Sequence, residues 1–143
     1  MRRSIVLLPA CVLATLVANE LRAEDWSPLW STATLSQARE GLSATSAGGM
    51  VFFGGGFTQS NDTDPSNVVD IYNTSTGTWS TATLSQARGD LTSTSAGNQV
   101  FFGGGNENNG ETGPYSNVVD IYNTSTGTWS TATLSVQDRK SVV

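Results

Sequence analysis

The segment SNVVDIYNTSTGTWSTATLS at positions 66–85 returns letter for letter at 116–135, and WSTATLSQAR stands at both 30–39 and 79–88. Trp30, Trp79 and Trp129 follow one another at intervals of 49 and 50 residues, Arg39 and Arg88 at 49, and Asp70 and Asp120 at 50. Chance does not produce a match of this length. The body of the chain is therefore a tandem duplication of one supersecondary unit. A repeat of this size buries its apolar face only by stacking on a neighbour, which restricts the chain to architectures of stacked, like units.

Within each unit the residues predict four short strands. Leu42–Ser46 is a run of small residues ended by Gly48-Gly49, and Met50–Phe53 is a continuous apolar run stopped by Gly54-Gly55-Gly56. Asn67–Tyr72 is β-branched and aromatic, as strands are. Asn73-Thr74-Ser75-Thr76-Gly77 predicts a hairpin loop whose Gly takes positive φ, after which Thr78–Thr83 returns as the fourth strand. The second copy repeats the pattern at Leu91–Ser95, Gln99–Phe102, Asn117–Tyr122 and Thr128–Thr133.

Four antiparallel strands in a period near 50 are the pattern of a β-propeller blade of the kelch class. The residues agree with that resemblance. Phe52-Phe53-Gly54-Gly55, echoed by Phe101-Phe102-Gly103-Gly104, resembles the family's apolar pair and diglycine. Tyr72 and Trp79, then Tyr122 and Trp129, match its spaced aromatics, and Arg39 and Arg88 stand where such blades open. The resemblance covers about residues 30–135 and implies an all-β fold: two four-stranded antiparallel kelch-type blades, a partial β-propeller, after an N-terminal signal helix. It implies that the Trp and Tyr side chains fill the space between blades and that the glycines serve sharp turns where blades crowd. Asp70 shares a strand face with Val68 and Tyr72, so its carboxylate calls for a cationic partner, with Arg39 and Arg88 the candidates. Asp70 and Asp120, each with an Arg, are read as structural fasteners.

The amino terminus reads as a processing segment. Arg2 and Arg3 precede an apolar run from Ile5 to Ala18, shorter than the roughly 20 residues of a membrane-spanning helix. A basic start, a short apolar stretch and a following small residue predict a secretory signal peptide over 1–23, cleaved at Ala23 or alternatively at Ala18. A lead-in at 24–38 would carry an orphan fourth strand at Trp30–Thr34, followed by blades at 39–85 and 86–135 and a truncated tail at 136–143. Propellers close with roughly 4–8 blades. Two blades point to a piece of a longer propeller, to a ring assembled from several copies through exposed blade faces, or to an extended stack of two.

Composition then narrows function. The chain has no His and a single Cys, Cys11, which lies in the signal segment. Ser-His-Asp and Cys-His catalysis, His-ligated metals and a disulfide framework are all excluded. With 7 Lys plus Arg against 12 Asp plus Glu, the chain lacks the basic stripe that nucleic-acid binding requires. Kelch-type propellers include the copper enzyme galactose oxidase, whose chemistry uses His ligands and a Tyr–Cys cross-link; neither carries over. No catalytic, metal or cofactor residue is expected. Asn61-Asp62-Thr63-Asp64 lacks the Gly and Glu that would complete a calcium loop of the EF-hand kind.

The two copies differ chiefly at 57–65 and 106–115, between the second and third strands. Loops of this kind carry binding while strands carry packing. Asn61, Asp62, Asp64, Asn106, Glu107, Asn109, Glu111 and Tyr115 are the candidate contact residues. Asn61, Asn73 and Asn123 begin N-glycosylation triplets, although Asn-Thr-Ser also suits a turn without any sugar. The function expected is a secreted, non-enzymatic module that binds a protein or glycan. The alternative is the remnant of a secreted propeller enzyme lacking its catalytic residues.

Overall fold

The structure, a computed structural model, describes residues 30–58, 64–107 and 114–135; the expected signal helix and the tail at 136–143 lie outside them. From Ala33 onward the chain forms one compact unit. It is all-β. Strands β1 (Ser43–Ala47), β2 (Met50–Gly54), β3 (Val68–Asn73) and β4 (Thr78–Thr83) form one antiparallel sheet in chain order. Strands β5 (Thr92–Ala96), β6 (Gln99–Gly103), β7 (Val118–Asn123) and β8 (Thr128–Thr133) form a second with the same topology. Each of the eight strands predicted for the two repeats is present, with ends displaced by at most one residue. Among the described residues, no helix is long and apolar enough to cross a membrane.

The turns behave as their residues require. Asn73 closes β3 and its side-chain carbonyl accepts from the Ser75 and Thr76 N–H groups at 2.9 and 3.1 Å, an Asx turn that nucleates the reversal. Gly77 sits at φ 70°, and its N–H bonds Asn73 O at 2.8 Å. Asn123 repeats the arrangement with Ser125 and Thr126 at 2.9 and 3.3 Å. Trp30–Thr34 does not form the expected orphan strand. A fourth strand exists here by pairing with a third, as β4 does with β3, and no such partner for Trp30–Thr34 is present among the described residues.

Register decides which side chains meet. Cross-strand partners share a face and successive residues alternate. In the first sheet one face carries Phe52, Val69, Ile71 and Ala82, and the opposite face carries Val51, Phe53, Asp70, Tyr72 and Trp79. In the second sheet the face carrying Val100, Phe102, Tyr122 and Trp129 packs against Phe52, Val69 and Ile71 of the first. Phe52, Val69, Val100 and Phe102 are fully buried there, and Leu84 and Leu91, from the connection between the sheets, join them. Each such side chain removed from water stabilises by about 1.5–3 kcal/mol. The rings of Phe52 and Tyr122 meet across the interface at 5.4 Å, and the Ser43 and Ser93 hydroxyls bond across it at 2.6 Å.

Gly54 is what permits this approach. A Cβ at its position would stand 2.7 Å from Cε1 of Phe102, so its role is contact with the facing sheet rather than a turn. The turn expected of the diglycine falls to Gly55 and Gly104, at φ 68° and 69°. The expectation for the aromatics holds for one copy only. Tyr122 and Trp129 pack into the interface, whereas Tyr72 and Trp79 lie on the outer face of the first sheet, their rings tilted against each other at 5.1 Å, with Trp79 also stacked on Phe53 at 6.1 Å. No described sheet covers that face.

Candidate functional site

Two groups of residues compete for a functional reading: the buried charges and the loops. The charges resolve first. Arg39 pairs with Asp70 and Arg88 with Asp120, each bond running from Nη2 to Oδ2. The second Asp70 oxygen accepts the Ser36 N–H at 3.0 Å, and that of Asp120 accepts the Ser85 N–H at 3.0 Å. Arg39 Nη1 donates to the carbonyls of Gly55 and Val68, both at 2.6 Å. Arg88 Nη1 donates to those of Gly104 and Val118 at 2.8 and 2.6 Å. Each guanidinium thus ties the segment entering a sheet to the ends of its second and third strands, and Nε alone finds no partner.

These groups are closed off from solvent. The carboxylate oxygens are engaged and the four side chains are at most 4% exposed. Among the described residues, no group of three or more His, Cys, Asp or Glu side chains could hold a metal ion. Each carboxylate thus has the arginine partner that its place on an apolar strand face calls for.

The loops are built on pinned stems. In the first sheet, Phe57 exchanges backbone hydrogen bonds with Glu40 at 2.8 and 3.0 Å and bridges Pro65. Thr58 then closes the stem, its N–H on Asp64 O at 3.0 Å and its hydroxyl on the Asp64 carboxylate at 2.7 Å. In the second sheet, Asn106 exchanges bonds with Gly89 at 2.9 and 3.0 Å and bridges Tyr115, while the Glu107 N–H reaches Pro114 O at 3.1 Å.

The two stems stand side by side. The Phe57 ring lies directly on Gly89, where any Cβ would collide with it, and the Asp90 N–H bonds Gly41 O at 2.8 Å. Asp90 takes φ 51°, the left-handed conformation that Gly41 holds at φ 59° at the matching place in the first sheet. Asp tolerates it better than most residues because its short polar side chain bonds locally. The loops therefore leave the same rim of the molecule.

Of the candidate contact residues, Asp64 and Tyr115 are exposed at this rim, Tyr115 by 67%, and Glu107 is half-buried. Asn106 is only 7% exposed and belongs to the stem rather than to the surface. Asn61, Asp62, Asn109 and Glu111 lie outside the described residues. Glu40 and Asp90 join the rim, and sequence reasoning passed over both because neither lies in the variable stretches. The only described cations, Arg39 and Arg88, have fully buried side chains, so the described rim presents carboxylates without exposed basic groups. Asn73 and Asn123 are half-buried strand ends whose side-chain carbonyls cap their turns, so the tips of the hairpins are the Thr and Ser residues that follow. No family model matches the chain, and no curated protein is significantly similar to it.

Proposed function

We propose that the chain is a secreted, non-enzymatic module of the kelch type that binds a protein or glycan through the loops joining β2 to β3 and β6 to β7. The observation that carries the reading is the contrast within the repeat. The strands of the two sheets correspond residue for residue with few changes, whereas the loops at 57–65 and 106–115 differ in length and sequence. Their stems are hydrogen-bonded and adjacent, which supports a composite surface built by both loops. A scaffold that repeats while its rim diversifies is how binding surfaces are built on stacked repeats. The carboxylates of Glu40, Asp64, Asp90 and Glu107 favour partners presenting basic groups or hydroxyls.

The test is a screen of the chain against a glycan array and a displayed random-peptide library. It is repeated on a variant in which 59–63 and 108–113 are replaced by Gly-Ser sequence of equal length. Binding recovered with the natural chain is expected to fall at least tenfold in the variant. Undiminished binding, or no binding by either chain, overturns the proposal.

A further inference from the structure

The interface inside this molecule is written twice, and among the described residues only one copy of it is satisfied. The inner face of the first sheet (Phe52, Val69, Ile71) meets the inner face of the second (Val100, Phe102, Tyr122). The outer face of the second sheet carries the counterparts of the former, namely Phe101, Val119 and Ile121. The outer face of the first carries the counterparts of the latter, Val51, Phe53 and Tyr72. These outer residues are half-buried rather than buried, and Trp79 is 41% exposed where Trp129 is drawn into the core. Two clefts of about 510 and 320 Å³ open on the outer face of the first sheet, beside Ser36, Trp79 and Thr81.

We infer that the outer face of the first sheet binds the outer face of the second sheet of another copy of this chain, head to tail. This reading is independent of the loops and of what they bind. The shape of the contact is already set by the chain itself. Gly103 on the outer face of the second sheet is buried but not crowded as Gly54 is: a Cβ there would meet only Val119, at 3.4 Å. In the assembled pair Gly103 receives Phe53 of the next copy as Gly54 receives Phe102.

Several positions depart from the template, among them Thr92 in place of Ser43, Asn106 in place of Phe57 and Glu40 in place of Gly89. Gln99 stands where Met50 does, and Ala44 where Ser93 does, so the bond between the Ser43 and Ser93 hydroxyls has no counterpart between copies. The contact between chains is accordingly weaker than the one within the chain. A contact between unlike faces propagates, giving a ring where the rotation closes and an open filament where it does not.

The test uses the full chain, measured by light scattering and analytical ultracentrifugation over a concentration series. The natural chain is expected to populate multiples of its own mass. Phe53→Glu and Phe101→Glu each alter a half-buried residue on an outer face, and each alone is expected to leave a monomer. Mixed in equal amounts, the two variants retain one intact face of each kind and are expected to pair and stop at the dimer. Gly103→Ala is expected to weaken association at least tenfold while the circular dichroism and unfolding midpoint of the dilute chain stay unchanged. A natural chain that is monomeric throughout, assembly that survives either Glu substitution, mixed variants that do not pair, or association untouched by Gly103→Ala overturns the inference.

Discussion

Trp79 and Trp129 hold the same place in two sheets and are flanked by the same residues over twenty positions, yet they live in different surroundings. Trp129 packs against the core and stacks on the buried Phe102 at 6.5 Å, while Trp79 stacks on the half-buried Phe53 and remains 41% exposed. The three copies of the Leu that follows the Thr-Ala-Thr run make the same point. Leu35 is half-buried, Leu84 is 2% exposed between the sheets, and Leu134 is 51% exposed. Burial here is a property of position in the stack, not of local sequence. A duplicated unit offers two versions of every contact, and the molecule itself serves as the control for each.

That comparison can be broken or sharpened by paired substitutions. The largest effects belong to the fasteners, where the two sheets are expected to agree. Asp70→Ala and Asp120→Ala each strand a fully buried guanidinium, and each is expected to cost about 3–5 kcal/mol in urea unfolding. Equal costs locate the fastener within a sheet. A cost confined to Asp120 would place it instead in the contact between sheets.

The phenylalanines are expected to disagree. Phe102→Ala removes a fully buried ring and is expected to cost about 3–5 kcal/mol, whereas Phe53→Ala at the outer face is expected to cost ~1 kcal/mol. Thermal unfolding of the dilute chains measures the difference, and similar losses would show the outer face to be as tightly packed as the inner. The smallest contrast is between two glycines. Gly54→Ala drives a methyl group into Phe102 and is expected to cost about 1–3 kcal/mol, while Gly103→Ala is expected to stay within ~0.5 kcal/mol in the dilute chain. Denaturation midpoints of the two variants decide it.

Much of this fold is legible in the sequence because its signals are local. β-branched and aromatic runs such as Val68–Tyr72, bounded by glycine clusters and Asn-Thr-Ser turns, mark strands and their ends. The pairing of Asp70 with an arginine is legible too, since a carboxylate on an apolar strand face requires a cation. What is not legible is which face of which sheet is covered, because identical repeats predict identical environments. The role of Gly54 escaped for a related reason: it depends on Phe102, 48 positions away and in the other sheet. The rim residues Glu40 and Asp90 were hidden because they flank the fastener rather than the variable loops, and only the backbone bonds of the stems bring them there.

The hairpin between β3 and β4 has one more consequence. Because 66–85 and 116–135 are the same twenty residues, β3 could pair with β8 in the same register as with β4, and β7 with β4 as with β8. Nothing in the strands distinguishes the right partner from the wrong one. The sorting falls to the four-residue connection Thr74–Gly77, fixed by the Asn73 side chain and the Gly77 N–H. Closing so short a loop, rather than one of the 54 residues between β3 and β8 or the 34 between β4 and β7, lowers the entropic cost by about 2 kcal/mol. In a nascent or refolding chain that difference works as an address label: each strand finds its partner by tether length alone. Lengthening the tether would erase the label before it disturbed a single contact of the folded sheet.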